Sequence, residues 1–331
     1  MRPFVLNPLL FSYTNVLREN KYTFLGPSIT QTILFIIALF ASSSLLWADN
    51  TKVNSASRII SSSPSITETL FELGLKDRVI AVTDFCEYPK EACQLPSIGG
   101  MLNPNMETVV SLNPDLIIHQ PGNQRLRNNA ISVGIKTLEV RMGNLEEIFE
   151  SIKIFGDALN CQEQANKLTL QLTTGIAFYQ ERIKGLPKKD VLLLLGDSSD
   201  PGRDLYAAGP GTFLNELLNL SGGKNIIGDS PSRYPKLSKE YIIEKSPEII
   251  IEAGPKSNLS QQEIDLRIQE WNRFPTIKAV KKRQIYFIGA NYILIPGPRL
   301  LKIIEQFSKA IHPKFFTDKT STTIINTNLI P

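Results

Sequence analysis

Residues 58–119 read RIISSSPSITETLFELGLKDRVIAVTDFCEYPKEACQLPSIGGMLNPNMETVVSLNPDLIIH, and their alternation decides the fold. Arg58–Ser61 predicts a short strand, and Ser65-Ile66-Thr67-Glu68 has the form of a capping box opening a helix that stops at Gly74. In such a box the Ser oxygen accepts from a free amide of the first turn, while the Glu side chain reaches back to the cap. Arg78–Val82 predicts the next strand, followed by a loop carrying Cys86, Tyr88, Pro89, Pro96, Gly99 and Gly100. Asn105–Leu112 reads as a helix, with Met106, Val109, Val110 and Leu112 apolar, and Asp115–His119 returns to strand. Strands separated by helices indicate a parallel α/β sheet.

The same alternation extends outward. Ile135–Val140 adds a strand, and Asn144 with Glu147 starts a helix reaching Leu159. Gln162–Lys184 contains no Pro and a single Gly, Gly175. At about 1.5 Å per residue this helix extends about 34 Å, the height of a domain. The pattern restarts at Val191–Leu195, an apolar run suited to a strand covered on both faces. Thr212 caps a helix ending at Gly222-Gly223, Ser238 precedes another, and Glu248–Ile251 is a strand. Ser260-Gln261-Gln262-Glu263 is a further capping box, Gln284–Ile288 a strand, and Arg299–Ile311 a final helix. The expected architecture is two α/β lobes with parallel-type sheets joined by a single long helix. The first lobe covers 57–143, linking helices 144–187, the second lobe 188–312 and a loose tail 313–331.

The leader carries an address. Ile33–Ala41 (ILFIIALFA) is an apolar run of nine followed by small residues, with Arg18 and Lys21 on its amino side. A membrane-spanning helix needs about 20 apolar residues, so the run fits the apolar core of a cleavable signal peptide, and residues 1–48 are assigned to signal peptide and leader. Export to the periplasm follows. The chain has 36 Lys+Arg against 32 Asp+Glu, a net charge of +4. Arg2, Arg18 and Lys21 against Glu19 account for half of it. The basic balance therefore gives no argument for a nucleic-acid partner.

Catalytic signatures are scarce. There is no phosphate-cradling loop, no dinucleotide fingerprint and no nucleophile elbow. His119 and His312 are the two imidazoles, and His119 ends a strand, where parallel α/β sheets gather ligands. The expectation is a binding protein, not an enzyme, with no resident cofactor. Three cysteines, Cys86, Cys93 and Cys161, are too few for a disulfide scaffold and have no metal-ligand spacing. Cys86 and Cys93, seven residues apart, are candidates for a small disulfide ring.

Pro64-Ser65-Ile66-Thr67-Glu68, Tyr88-Pro89, Leu95-Pro96-x-Ile98-Gly99-Gly100, Asn105-Met106-Glu107 and Asn113-Pro114-Asp115 occur in an order and spacing that resemble the periplasmic vitamin B12/iron-complex binding proteins of ABC importers, the cobalamin-binding branch above all. Asn225-Ile226, Ser238-Lys239-Glu240 and Ser246-Pro247-Glu248-Ile249 continue the likeness. It implies a class III periplasmic binding protein of the helical-backbone metal-receptor type. Such a protein captures cobalamin or a related corrinoid between its lobes, as a monomer, and delivers it unaltered to a permease. The resemblance carries the ligand-binding role to Phe85, Met101 and Tyr234, and more loosely to His119, Gln120, Tyr206 and Tyr292. It carries permease docking to Glu107 and Glu240, one acidic residue per lobe. A ferric siderophore or haem is the alternative within the class, haem with His119 or Tyr88 as axial ligand. An exported tetrapyrrole-acting enzyme such as a chelatase is the alternative of another class.

Overall fold

The strands β1 (Ile59–Ser61), β2 (Val79–Ala81), β3 (Leu116–His119) and β4 (Lys136–Glu139) form a four-stranded sheet in the order β2-β1-β3-β4. Every pairing is parallel, with Ile59 opposite Leu116 and His119 opposite Glu139. In this computed structural model residues 56–196, 205–316 and 324–326 are described, so the leader expected at 1–48 lies outside them. β1 and β3 are buried at every position, which is why they read as unbroken apolar runs without alternation. Helices α1 (Pro64–Glu72), α2 (Met106–Ser111) and α3 (Gln124–Ser132) supply the crossovers.

The start of α1 corrects the sequence expectation. Ser63, not Ser65, is the N-cap, its Oγ accepting from the Ile66 N–H, with Pro64 in the first turn. The carboxylate of Glu68 does not return to the cap; it is buried and bound to Arg299. The remaining caps follow the sequence: Asn144 Oδ1 accepts from Glu147 N–H at 2.8 Å, and Ser260 with Glu263 forms the full reciprocal box.

Two helices link the sheets, α4 (Leu145–Leu159) and α5 (Gln162–Arg182). Asn160, at φ 56°, turns one into the other. Their close approach needs Gly156, where a methyl group would sit 2.9 Å from the Ala165 side chain. Gly175, the glycine inside the long helix, lies against Leu301, whose side chain takes the space a Cβ would fill.

The second sheet contains β5 (Lys189–Leu195), β6 (Leu205–Ala207), β7 (Gly223–Asn225), β8 (Lys236–Leu237), β9 (Ile249–Gly254), β10 (Ile285–Gly289) and β11 (Ile324–Asn326). Its order is β11-β10-β9-β5-β6-β8, with β7 also on β5. Helices α6 (Phe213–Leu220), α7 (Lys239–Lys245), α8 (Gln261–Asn272), α9 (Lys278–Lys281) and α10 (Leu300–Ile311) accompany it. The centre is parallel as expected, but β6, β8 and β11 are antiparallel. Those strands are only two or three residues long, too short to carry a period of two. β11 also gives part of the expected loose tail a place on the edge of the sheet.

One apolar core joins the two halves. It runs from Ile59 and Leu70 through Phe155 and Leu172 to Val191, Leu214 and Phe307. Each such side chain contributes about 1.5–3 kcal/mol by leaving water. Each linking helix therefore sets one face into this core: α5 buries Ala165, Leu168, Leu172 and Ile176 there and turns its other face to solvent. Among the described residues no helix is long and apolar enough to cross a membrane.

The candidate Cys86–Cys93 ring does not form: both thiols are free, as is Cys161. The buried Cys86 Sγ lies 3.2 Å from both Thr67 Oγ1 and Thr83 Oγ1, while Cys93 turns out to the Glu87 carbonyl at 3.3 Å. Burial pushes the Cys86 and Cys161 thiols up from their ordinary pKa, so neither supplies thiolate at neutral pH. Dithionitrobenzoate should release one fast equivalent from the native protein, from Cys93, and two more only in denaturant. Cys93→Ser should abolish the fast phase; a fast phase that appears only after reductant would establish the ring instead.

A second core cluster under β9 and β10 encloses a charge. Glu252 is bound by the Trp271 indole N–H at 2.6 Å and by Arg267 at 3.2 Å. Burial raises its pKa from 4.5 to about 7, against the pull of Trp271 and Arg267. The folded state thus holds this proton more tightly than the unfolded chain does. The resulting stability is complete below pH 4.5 and lost as pH rises through about 7. Glu252→Gln should match the native protein near pH 5 in urea unfolding. The native protein alone should lose stability toward pH 8, by at most about 3 kcal/mol.

Candidate functional site

The carboxyl ends of β1, β2 and β3 open on one side of the first sheet. β1 leads through Ser62 into the cap of α1, placing Ser63, Pro64 and Ser65 at the opening. β2 leads into a loop braced by bridges from Val82 to Ser97 and from Gly99 to Pro104. Asp84 N–H donates to Gly99 O at 3.1 Å, and the Asn123 side-chain amide donates to Met101 O at 2.7 Å. These bonds hold Phe85 and Met101 outward although both are apolar; Phe85 is 65% exposed. Gly99, at φ +89°, makes the turn that presents Met101, Leu102 and Asn103. Beyond β3 the Gln120 amide donates to Ser63 Oγ at 3.0 Å.

The facing wall comes from the second half. Phe213 opens α6 behind its Thr212 cap, and its N–H donates to Gly143 O at 2.8 Å. The Tyr234 loop is laced to the sheet by Gly209 N–H on Arg233 O at 2.8 Å and Ala207 N–H on Pro235 O at 3.0 Å. A side chain at Gly209 would strike the Ser232 carbonyl at 2.9 Å, so the loop lies there only because that residue is glycine. Leu294, Ile295 and Pro296 complete the wall.

Together these residues line a cleft of about 580 Å³, within the range of small-molecule sites. Its character is uniform. Among the described residues no Asp, Glu, Lys, Arg or His lines it; the polar groups are amides, from Asn103 and Gln120, and hydroxyls, from Ser63, Ser65 and Tyr234. Met101 adds a thioether and Phe85 and Leu294 apolar contact, with the buried Met142 and Phe213 behind them. The cation beside the cleft, Arg233, is 3.8 Å from Glu147. Among the described residues no cluster of three or more His, Cys, Asp or Glu could hold a metal ion.

Of the residues expected at the ligand, Phe85, Met101, Gln120 and Tyr234 meet around this cleft. His119, Tyr206 and Tyr292 do not line it. His119 is 1% exposed and its Nδ1 is 3.1 Å from the Gln120 carbonyl, which places the ring inside the lobe. Tyr206 is exposed on β6. Tyr292 packs on the core with the Arg299 guanidinium 5.3 Å from its ring, and Tyr88 faces the same guanidinium at 4.1 Å. Phe213, Met142 and the 294–296 segment escape the sequence. The first two read as core residues of their elements, and the Pro296-Gly297-Pro298 turn carries no period. Glu107 and Glu240 lie apart from the cleft, exposed in the first turns of α2 and α7. The Glu240 carboxylate is held below its usual pKa by its own backbone N–H and by Ser238.

Residues 59–292 match the family model described as periplasmic binding protein. An uncharacterized ABC transporter substrate-binding lipoprotein of Bacillus subtilis, YvrC, is 30% identical over 268 residues, covering 79% of this chain and 82% of that protein. A vitamin B12-binding protein of Photorhabdus laumondii is 27% identical over 77% of this chain and 88% of its own. A solved periplasmic haem-binding protein of Pseudomonas aeruginosa superposes with a TM-score of 0.70 at 22% identity, over 82% of this chain and 98% of the other.

Proposed function

This chain belongs to the family of periplasmic binding proteins, the substrate-binding components of ABC transporters, and we propose that its cargo is cobalamin or a related corrinoid. The uncharged cleft carries this reading. A corrinoid offers a broad, partly apolar ring with a rim of neutral amides, which Asn103, Gln120, Ser65 and Tyr234 match as donors and acceptors. Haem brings two propionates, and a ferric siderophore is commonly anionic. Among the described residues a carboxylate drawn into this cleft meets no cation in the lining, and Arg233 beside it faces Glu147 at 3.8 Å. The axial ligands expected for haem, His119 and Tyr88, do not line the cleft, which leaves Tyr234 and Met101 as the ligand types a haem iron would meet there. The kinship to a vitamin B12-binding protein supports the same cargo.

Delivery would use Glu107 and Glu240. Each carboxylate is exposed at a helix start, one beside each sheet, where a basic permease surface can meet both. The chain acts after export by its leader, as a monomer, and leaves its cargo chemically unchanged.

Titration with cyanocobalamin, haemin and ferric siderophores by calorimetry and absorbance tests the cargo. Cyanocobalamin should bind at micromolar concentration or below, with haemin at least about tenfold weaker, which is about 1.4 kcal/mol. A tight haemin spectrum alongside silence from cyanocobalamin would reverse the assignment. For docking, Glu107→Ala with Glu240→Ala should leave cyanocobalamin affinity unchanged and weaken association with the permease about tenfold or more. Lost cargo affinity with intact association would return both residues to the cleft.

A further inference from the structure

Arg299, the residue before α10, is buried between the two halves and bonded to both. Its Nε donates to Glu68 Oε2 at 2.7 Å and a second guanidinium nitrogen reaches Glu68 Oε1, a two-pronged fork on the carboxylate of α1. Its third nitrogen, Nη1, donates to Asn291 Oδ1 at 2.7 Å. The planar cation lies over Tyr88 from the first half, at 4.1 Å, and near Tyr292 from the second, at 5.3 Å. The side chains of Arg299 and Glu68 are 7% and 2% exposed.

The position of this cluster gives it meaning. Ser65 lines the cleft and precedes Glu68 by three residues, one turn of α1; Pro296 lines the opposite wall and precedes Arg299 by three. At Gly297 the walls almost touch: an added methyl group would lie 3.7 Å from the Ser65 carbonyl and from Thr69 Oγ1. On the other flank, Phe213 N–H on Gly143 O at 2.8 Å and Leu145 N–H on Glu216 Oε2 at 2.7 Å tie α6 to the start of α4. The cleft lies between two ties, one of them charged, directional and dry.

We infer that Arg299 is a positioning residue that sets the width of the cleft by forking Glu68 across the two halves, so that the empty protein already holds the spacing its cargo needs. A buried ion pair adds little net stability against an apolar replacement, yet its geometry is exacting. A guanidinium fork tolerates neither a shift along the carboxylate nor a rotation out of its plane. The pair therefore fixes register between α1 and the 291–299 segment more than it holds the fold. A preset cleft spares the ligand the cost of ordering the walls. The inference rests on this cleft being the capture site.

The test needs two readouts. In a Cys93→Ser background, spin labels on Ile131→Cys and Leu266→Cys, exposed residues on opposite halves, report the distance between them without ligand. The native pair should give one narrow distribution, unchanged by cyanocobalamin. Glu68→Gln with Arg299→Met removes both charges and should unfold within a few degrees of the native protein. Its distance distribution should broaden, and its cyanocobalamin affinity fall about tenfold. Arg299→Lys keeps the charge but not the fork and should show the same broadening, which guards against a double variant that fails to fold. A native-width distribution in Arg299→Lys and the double variant overturns the inference. So does a broad distribution in the empty native protein, or an unchanged affinity in broadened variants. Should the native protein not bind cyanocobalamin, the cargo reading fails by itself and the distances still decide the role of Arg299; the affinity arm then uses whichever titrated compound binds.

Discussion

The uninterrupted apolar core that crosses from one sheet to the other is the constraint on which the remaining features rest. Phe155 and Leu172 in the linking helices, and Phe307 in α10, are as deeply buried as Ile59 in the first sheet and Val191 in the second. α4 and α5 are both amphipathic, with one face in this core and the other in water. Here the approach of α4 to α5 is set by Gly156 and that of α5 to α10 by Gly175. A side chain at either glycine would have to displace a neighbour, Ala165 at Gly156 and the Leu301 side chain at Gly175. The two strand-end surfaces consequently face each other in a fixed relation, and the cleft is what remains between them.

On that scaffold the placement of charge separates the surfaces by use. The cleft walls carry amides, hydroxyls and thioethers, whereas among the described residues Arg233 beside it faces Glu147 and Arg299 behind it forks Glu68. Neutralising cations beside an open cleft keeps the field there weak, which suits a large ligand whose polarity is spread over many small dipoles. Glu107 and Glu240 are exposed in the first turns of their helices, where backbone amides favour the carboxylate. The uncharged cleft and the exposed carboxylates thus occupy separate parts of one molecule.

Much of the scaffold was legible in the residues, because long-period signals and caps are local. The strands at 59–61 and 116–119 announced themselves as apolar runs, as did the start of 249–254, expected to end at Ile251 but continuing past the buried Glu252; Asn144, Thr212, Ser238 and Ser260 marked their helices within a residue. The short antiparallel strands β6 and β8 were not, since their pairing depends on partners far along the chain. The site was legible where a motif carried it, as at Phe85 and Met101, and opaque where two distant segments meet, as at Phe213 and Leu294–Pro296. Glu68 shows the limit most plainly. Its spacing from Ser65 satisfies a local rule, but a guanidinium 231 residues away offers a better partner in a place water cannot reach.

If Arg299 sets the width of the cleft, the loop that carries Met101 and the segment that carries Pro296 are parts of one frame, and the exposed carboxylates on α2 and α7 are mounted on it like the two points of a caliper locked at one setting. A frame of this kind has no posture that distinguishes full from empty. A membrane partner gripping both points would read the same span in either case. News of the cargo must then travel through the cargo itself, by the face it leaves showing at the mouth of the cleft, where Phe85, Leu102 and Tyr234 stand half in water.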